Sequence, residues 1–284
     1  MRAFGFLLHD DRPEAATLGA ELARWLLDRG HEVRLDRSDA ARVGMSDVGF
    51  ALSELAIGLD LLIGIGGDGT VLAAASLGAD HGVPVLGVNV GRLGYLTMVE
   101  PAAARAAIKR FLSGAFEIEE RMRIAAAIER ADGQEPLDVA LNEVLLERAE
   151  LGHTVRIEVQ LDGEAFTPYV ADGVIVATPT GSTAYALSAR GPIVDPRHRA
   201  QILVPVSPHM LFDRALVLTP ETSVRLVVAG GRAGHVSIDG RSGGVVEVGE
   251  AIRCWVDPRP ARLVRYGTST FHGVLRRKFH LADR

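Results

Sequence analysis

Cysteine is nearly absent from the 284-residue chain. Cys254 stands alone, which excludes an internal disulfide and any zinc site built on several cysteines. Lysine is scarce too. It occurs only at Lys109 and Lys278, and the rest of the 31 basic residues are arginine. Neither lysine follows a glycine, so a Walker A phosphate loop is excluded. No apolar run reaches the roughly 18 residues that a membrane span needs, and no secretory hydrophobic region is visible. No dense Lys/Arg run offsets the net charge of −5, which argues against a nucleic-acid partner. Repeats and low-complexity segments are lacking, and no histidines take the spacing of a metal-binding helix. What remains is an ordinary globular composition, 48% hydrophobic and 24% charged, with a cytoplasmic address expected.

The first hundred residues alternate strand and helix. Phe4–Leu8, Val33–Leu35, Leu59–Ile65 and Val83–Val88 read as strands. Pro13 opens a helix whose Leu18, Leu22, Trp25 and Leu26 share one face, and Gly30 ends it. Arg37–Ser46 is read as a polar loop, and a second helix is expected from about Thr70 to Leu77. Such alternation implies a parallel sheet covered by helices. After a helix over Ala102–Leu112 the pattern changes to period two. Val155, Ile157, Val159 and Leu161 point one way, and Asp162-Gly163 offers a hairpin turn. Val224–Val228, His235–Ile238, Val245–Val248 and Ile252–Val256 follow as short strands, in one sheet or two packed ones. Phe271–Phe279 reads as a helix. The expected architecture is an α/β N-terminal domain with a parallel sheet (1–100) and a mostly β C-terminal domain (101–264), with 265–284 packing back on the first. Cys254 and Trp25 are read as packing.

The strongest chemical signal is Gly64-Ile65-Gly66-Gly67-Asp68-Gly69-Thr70, between a hydrophobic strand and an apolar helix. Close glycines let a backbone approach phosphate, and a helix start offers N–H groups and the positive dipole end. The spacing also satisfies the dinucleotide fingerprint, but three features count against a dehydrogenase. The loop follows the third strand, no acid stands between Asp80 and Glu100 for a ribose, and Asp68 adds negative charge among phosphate-binding amides. A carboxylate there fits phosphoryl transfer, with Asp68 as base, Gly66, Gly67 and Gly69 holding the donor phosphates, and Thr70 capping the helix. The competing reading of Asp68 is a helix N-cap.

The stretch Gly66–Thr70 resembles the signature shared by NAD kinases, diacylglycerol kinases and related lipid kinases, and phosphofructokinases carry a similar one. Three further segments resemble the NAD kinase family alone: Leu86–Thr97, Asn142-Glu143, and Ala171-Asp172-Gly173 leading into Thr178–Ser188. The likeness spans roughly Leu59 to Gly240. The resemblance implies the family's two-domain fold and transfer of phosphate from ATP, with Mg²⁺ or another divalent cation, to the 2′-hydroxyl of the adenosine ribose of NAD. Polyphosphate is a second donor the family uses. It implies Asp68 as catalytic base, with Gly69 beside it. Asn142 and Glu143 would contact the adenosine half. Asp172, Thr183, Ala184, Tyr185, Ala186, Leu187, Ser188 and Arg241 would make up the rest of the dinucleotide set. No resident metal ligands are expected, and assembly as a homodimer or homotetramer is. Independently of the family, Asn and Glu suit ribose hydroxyls, Tyr185 offers a ring face, and Gly181 would let the backbone approach a ligand.

Departures from the pattern stand at Arg190, where the family has a small glycine; at Arg241, where a Gln often sits; and at Val170, where some members carry a basic residue. Arg92 is read as a solvated loop residue and His209 as a structural one. A lipid or sugar kinase sharing the first loop, and a non-catalytic dinucleotide sensor, are the alternatives. A screen of acceptors with labelled ATP separates them.

Overall fold

The computed structural model describes residues 1–91, 94–96, 99–267 and 270–281. The chain divides into two units, Met1–Glu120 with Ala261–Arg284, and Arg121–Pro260.

The first unit begins with β1 (Ala3–Leu8), α1 (Pro13–Leu27), β2 (Glu32–Asp36), α2 (Arg37–Arg42), β3 (Gly49–Phe50) and α3 (Leu52–Leu55). It continues with β4 (Leu61–Gly66), α4 (Asp68–Asp80), β5 (Val85–Asn89) and α5 (Ala104–Leu112). The strands are parallel in the order β5-β4-β1-β2-β3. The chain leaves β1 toward β2 on one side, and returns to β4 on the other. That reversal is a topological switch point, where crevices form at the carboxyl ends of strands. Phe4, Phe6, Ile63 and Ile65 from the strands pack with Leu22 and Leu26 of α1. Pro at the first helical position and apolar residues at helical spacing explain α1.

The polar stretch after β2 is a helix, not a loop. The Asp36 side chain accepts the Ser38 N–H and caps α2, while Ala40 and Asp39 turn inward. α5 supplies Ala104, Ala107, Ile108 and Phe111 to the same core. This is why the division falls at Glu120 and not at the expected Glu100.

The second unit takes in β6 (Glu117–Arg130), which starts in the first, then β7 (Gly133–Pro136), β8 (Glu143–Arg148), β9 (Val155–Leu161), β10 (Glu164–Ala171) and β11 (Gly173–Ala177). Next come α6 (Tyr185–Ser188), β12 (Gln201–Val206), β13 (Leu216–Leu218), β14 (Val224–Ala229), β15 (Gly234–Ile238) and β16 (Arg241–Val246). β17 (Ala251–Arg265) carries the chain back, and α7 (Phe271–Lys278) follows in the first unit. Two antiparallel sheets make the second unit. One runs β10-β9-β14-β17, the other β13-β12-β11-β8-β15-β16. Val155, Ile157 and Val159 of the first pack with Val144, Leu146, Val174 and Val176 of the second. The period-two pattern therefore has its ordinary cause, one face of each sheet buried against the other. Asp162 and Gly163 both take positive φ, as a tight hairpin turn requires. The strand expected at Val245–Val248 instead starts at Arg241 and ends at Val246, because Arg241–Val246 pairs with Gly234–Ile238. Cys254 is fully buried, and burial pushes its thiol up to about 12, consistent with packing.

Candidate active site

The residues singled out above fall into two groups, one in each unit.

In the first unit β4 ends at Gly66, Gly67 is the N-cap of α4, and Asp68 opens the helix. Thr70 does not cap it, and no side chain does. The glycines divide by cause. A Cβ on Gly64 would meet Ala74 and Val71 at 3.3–3.4 Å, and one on Gly66 would stand 2.3 Å from the Thr70 hydroxyl. Packing alone demands those two. A Cβ on Gly69 would meet nothing within 4 Å, and one on Gly67 only the Arg12 guanidinium at 3.9 Å. Neither takes positive φ. Nothing described in the chain requires glycine there, so the bare backbone faces open space at a helix start, the surface that phosphate oxygens approach.

A cleft of about 430 Å³ adjoins it at the switch point, lined in part by His9, Asp10, Asp11, Asp39, Gly69 and Thr70. Asp39 is buried, and its carboxylate accepts the Leu8 N–H at 2.9 Å and Arg42 Nη2 at 2.6 Å. Burial raises its pKa against the opposing pull of those partners.

The Asp68 carboxylate accepts the Tyr95 N–H at 2.8 Å on one oxygen and the Leu96 N–H at 3.0 Å on the other. It thus holds the Tyr95 and Leu96 backbone. Burial first, then the Asp68 charge, raises the Tyr95 phenol. Lys278 of α7 lies 4.0 Å from the centre of the Tyr95 ring. Arg92, Leu93 and Thr97 lie outside the described residues.

In the second unit the Asn-Glu pair is held by Asp239, the first residue of the Asp239-Gly240-Arg241 turn, to which the sequence assigned no role. Asp239 accepts the N–H groups of Leu141, Asn142 and Glu143 at 2.8–3.0 Å. It takes φ +49, as the Asp-Gly turn signature leads one to expect. Burial pushes the Glu143 carboxyl up to about 8, the negative Asp239 beside it adds to this, and a Tyr185 backbone N–H opposes it. Glu143 Oε2 is buried without a hydrogen-bond partner. A buried carboxyl oxygen left unpaired within the chain has hydrogen-bonding capacity to spare.

Tyr185 is 40% exposed and within electrostatic reach of Glu143, Glu147, Arg148 and Asp172. So the structure gathers Asn142, Glu143, Asp172 and Tyr185. Asp172 is paired with Arg148, a partner across 24 residues of sequence that no local signal marks.

The rest of the Thr178–Ser188 segment has mostly internal roles. Thr178 Oγ1 donates to Leu141 O, Ser182 Oγ donates to Pro179 O, and Thr183 Oγ1 donates to Thr180 O. A Cβ on Gly181 would stand 2.1 Å from Asn142 O. The expectation that Gly181 serves ligand approach is therefore corrected: it lets the segment press onto the Asn142 backbone. Ala186 is buried in a small cluster with Ile175 and Ile202. Ser188 is exposed, while Ala184 and Leu187 are half-buried. Arg241 ion-pairs with Asp138 at 3.4 Å, both well exposed. Arg190 has φ +66, the left-handed region that suits glycine, which gives a physical reason for the family's residue there. The His209 N–H donates to Val170 O, a structural link between segments.

The profile of the ATP-NAD kinase N-terminal domain matches residues 4–116, and that of the ATP-NAD kinase C-terminal domain matches 141–266. A NAD kinase of Heliobacterium modesticaldum is 39% identical over 279 residues, covering 98% of each chain. One from Moorella thermoacetica is 36% identical over 279 residues, covering 98% of this chain and 89% of its own. Among solved structures, yeast NADH kinase complexed with NADH superposes with a TM-score of 0.90. It is 24% identical, covers 100% of this chain and 89% of its own, and speaks for the fold. A NAD kinase from Archaeoglobus fulgidus in complex with ATP has a TM-score of 0.72 at 25% identity, covering 99% and 98%.

Proposed function

The chain belongs to the NAD kinase family, and from that premise we infer how its residues carry the reaction. The 2′-oxygen of the adenosine ribose of NAD attacks the terminal phosphorus of ATP. A new P–O bond forms as the bond to the ADP oxygen breaks, and the hydroxyl proton passes to Asp68. Gly66, Gly67, Gly69 and Thr70, at the start of α4, receive the donor phosphates. Asn142 and Glu143 bind the adenosine half, with Glu143 Oε2 accepting a ribose hydroxyl. Tyr185 offers its exposed ring, and Asp172, Thr183, Ala184, Ala186, Leu187, Ser188 and Arg241 complete the dinucleotide set. Ala186, being buried, contributes through its backbone.

Among the described residues no three or more His, Cys, Asp or Glu are grouped to hold a metal ion. The divalent cation would arrive with the ATP phosphates and offset their charge there. None of the steps above depends on it.

The observation that carries this reading is the bare backbone at Gly67 and Gly69 next to the fixed carboxylate of Asp68. A coupled assay for NADP, with ATP and polyphosphate run in parallel, tests it. NADP formed from NAD and ATP is the expected result, and NAD binding without NADP would overturn it in favour of a sensor.

The reading extends to a homodimer or homotetramer, measured by sedimentation. The exposed apolar side chains of Phe166, Leu211 and Phe212 support burial against another copy. A cytoplasmic address is proposed as well; among the described residues no helix is long and apolar enough to cross a membrane.

A further inference from the structure

Arg12 follows β1 as the N-cap of α1, and its side chain turns away from that helix toward the two glycine turns of the first unit. A Cβ on Gly91 would stand 2.1 Å from its Nη1, and one on Gly67 would stand 3.9 Å from its Nη2. Gly91 takes φ +121, so glycine is required there both by conformation and by the guanidinium lying on it. Nη1 is buried and has no hydrogen-bond partner. A buried charged donor without an acceptor is costly, and native proteins seldom keep one idle. A second idle atom is close in sequence. Asn89 is 3% exposed, its Nδ2 donates to Gly91 O, and its Oδ1 has no partner.

The other arginine at this corner is committed. Arg42 donates to the carbonyls of His9 and Asp10 and to the Asp39 carboxylate, and so braces the turn that carries Arg12. Both oxygens of Asp68 are engaged by the Tyr95 and Leu96 amides. The open space in front of Gly67 is thus bounded by Nη2 of the Arg12 guanidinium, whose unpaired Nη1 lies over Gly91. The adjoining cleft carries Asp10, Asp11, Asp36 and Asp39 on its wall, a negative surface that would repel a polyphosphate chain unless a cation faced it.

We propose that Arg12 binds phosphate oxygens of the phosphoryl donor, closing the glycine loop from the β1 side. The guanidinium presents a rigid fork of N–H donors that fits phosphate in two-point contact, which an ammonium does not match. The contact is to the phosphates, so it serves ATP and polyphosphate alike. This inference rests on the kinase reading and adds to it the residue that recognises the donor.

The test compares wild type with Arg12→Gln and Arg12→Lys. Steady-state constants are measured for ATP at saturating NAD and for NAD at saturating ATP. Thermal melting is recorded with and without tripolyphosphate, a phosphate chain lacking the nucleoside. Arg12→Gln is expected to raise the KM for ATP about 10- to 100-fold, with the KM for NAD within about twofold and the unliganded melting temperature unchanged. It should also lose the tripolyphosphate shift, and Arg12→Lys should restore part of each effect. An unchanged KM for ATP overturns the proposal. So does a joint rise in both constants with a lower melting temperature, since that marks a packing role at Gly91. If wild type forms no NADP, the kinase reading fails separately, and the tripolyphosphate shift still decides what Arg12 does.

Discussion

The segments Gly64–Thr70 and Thr178–Ser188 are both rich in small residues and do opposite things in the structure. In Gly64–Thr70 the glycines at 67 and 69 leave open space, while in Thr178–Ser188 the glycine at 181 is pressed onto the Asn142 carbonyl. In the first segment nothing in the described chain fills the space before those two glycines. The second is a brace, its hydroxyls bonded to its own neighbours, that fixes the Asn142-Glu143 pair and offers Tyr185. Small residues therefore mark closeness, and only the structure says whether the close partner is a ligand or the chain itself.

The largest expected effect lies on the open side. Asp68→Asn should lower kcat by about 10²–10⁴-fold with NAD affinity by calorimetry retained. It should also lower the melting temperature, because an amide keeps one acceptor oxygen and turns N–H donors toward the Tyr95 or Leu96 amide. Turnover at the wild-type rate would remove Asp68 as the base.

The glycines themselves come next. Gly181→Ala forces a methyl against backbone and should cost about 3 kcal/mol or more of stability, read by denaturant unfolding. Gly69→Ala meets nothing in the chain and should fold as well as wild type, yet raise the KM for ATP about tenfold. If the two exchanged behaviours, the distinction between a bare loop and a brace would be wrong.

Glu143 sharpens the comparison on the braced side. Its carboxyl is pushed from 4.5 to about 8, so near neutral pH the folded protein holds a proton that the unfolded chain releases. That excess of bound protons makes stability fall as pH rises from about 4.5 to about 8, and level off above. Ribose hydroxyls donate to the charged form, so NAD binding at pH 7 should release about one proton, read by calorimetry in buffers of different ionisation enthalpy. Glu143→Gln should abolish both the proton release and the stability slope. The smallest effect is at Arg190. Replacing it by glycine relieves a left-handed backbone and should stabilise by about 0.5 kcal/mol, once the greater freedom of unfolded glycine is subtracted.

Much of the fold was legible because burial leaves a period. α1 and the β9–β10 hairpin read directly from apolar spacing and an Asp-Gly turn. α2 was missed because its stability comes from one side-chain cap and from Asp39 bonded to the distant Leu8 amide, neither of which leaves an apolar period. Asp68, Asn142 and Glu143 were singled out through motifs. Arg12 and Arg148 were not, and Asp239 stood out only as part of a turn, since each acts on a partner far along the chain.

By itself the sequence determined the layered α/β and β organisation, the kinase family and the carboxylate in the first loop, because periodicity and spacing are local properties of the chain. The tertiary structure decided which glycines are bare and which are crowded, which carboxylates hold backbone and which keep a buried unpaired oxygen, and which arginines keep an unused donor. Those depend on atoms brought close from distant positions, and a linear pattern does not record distance in space.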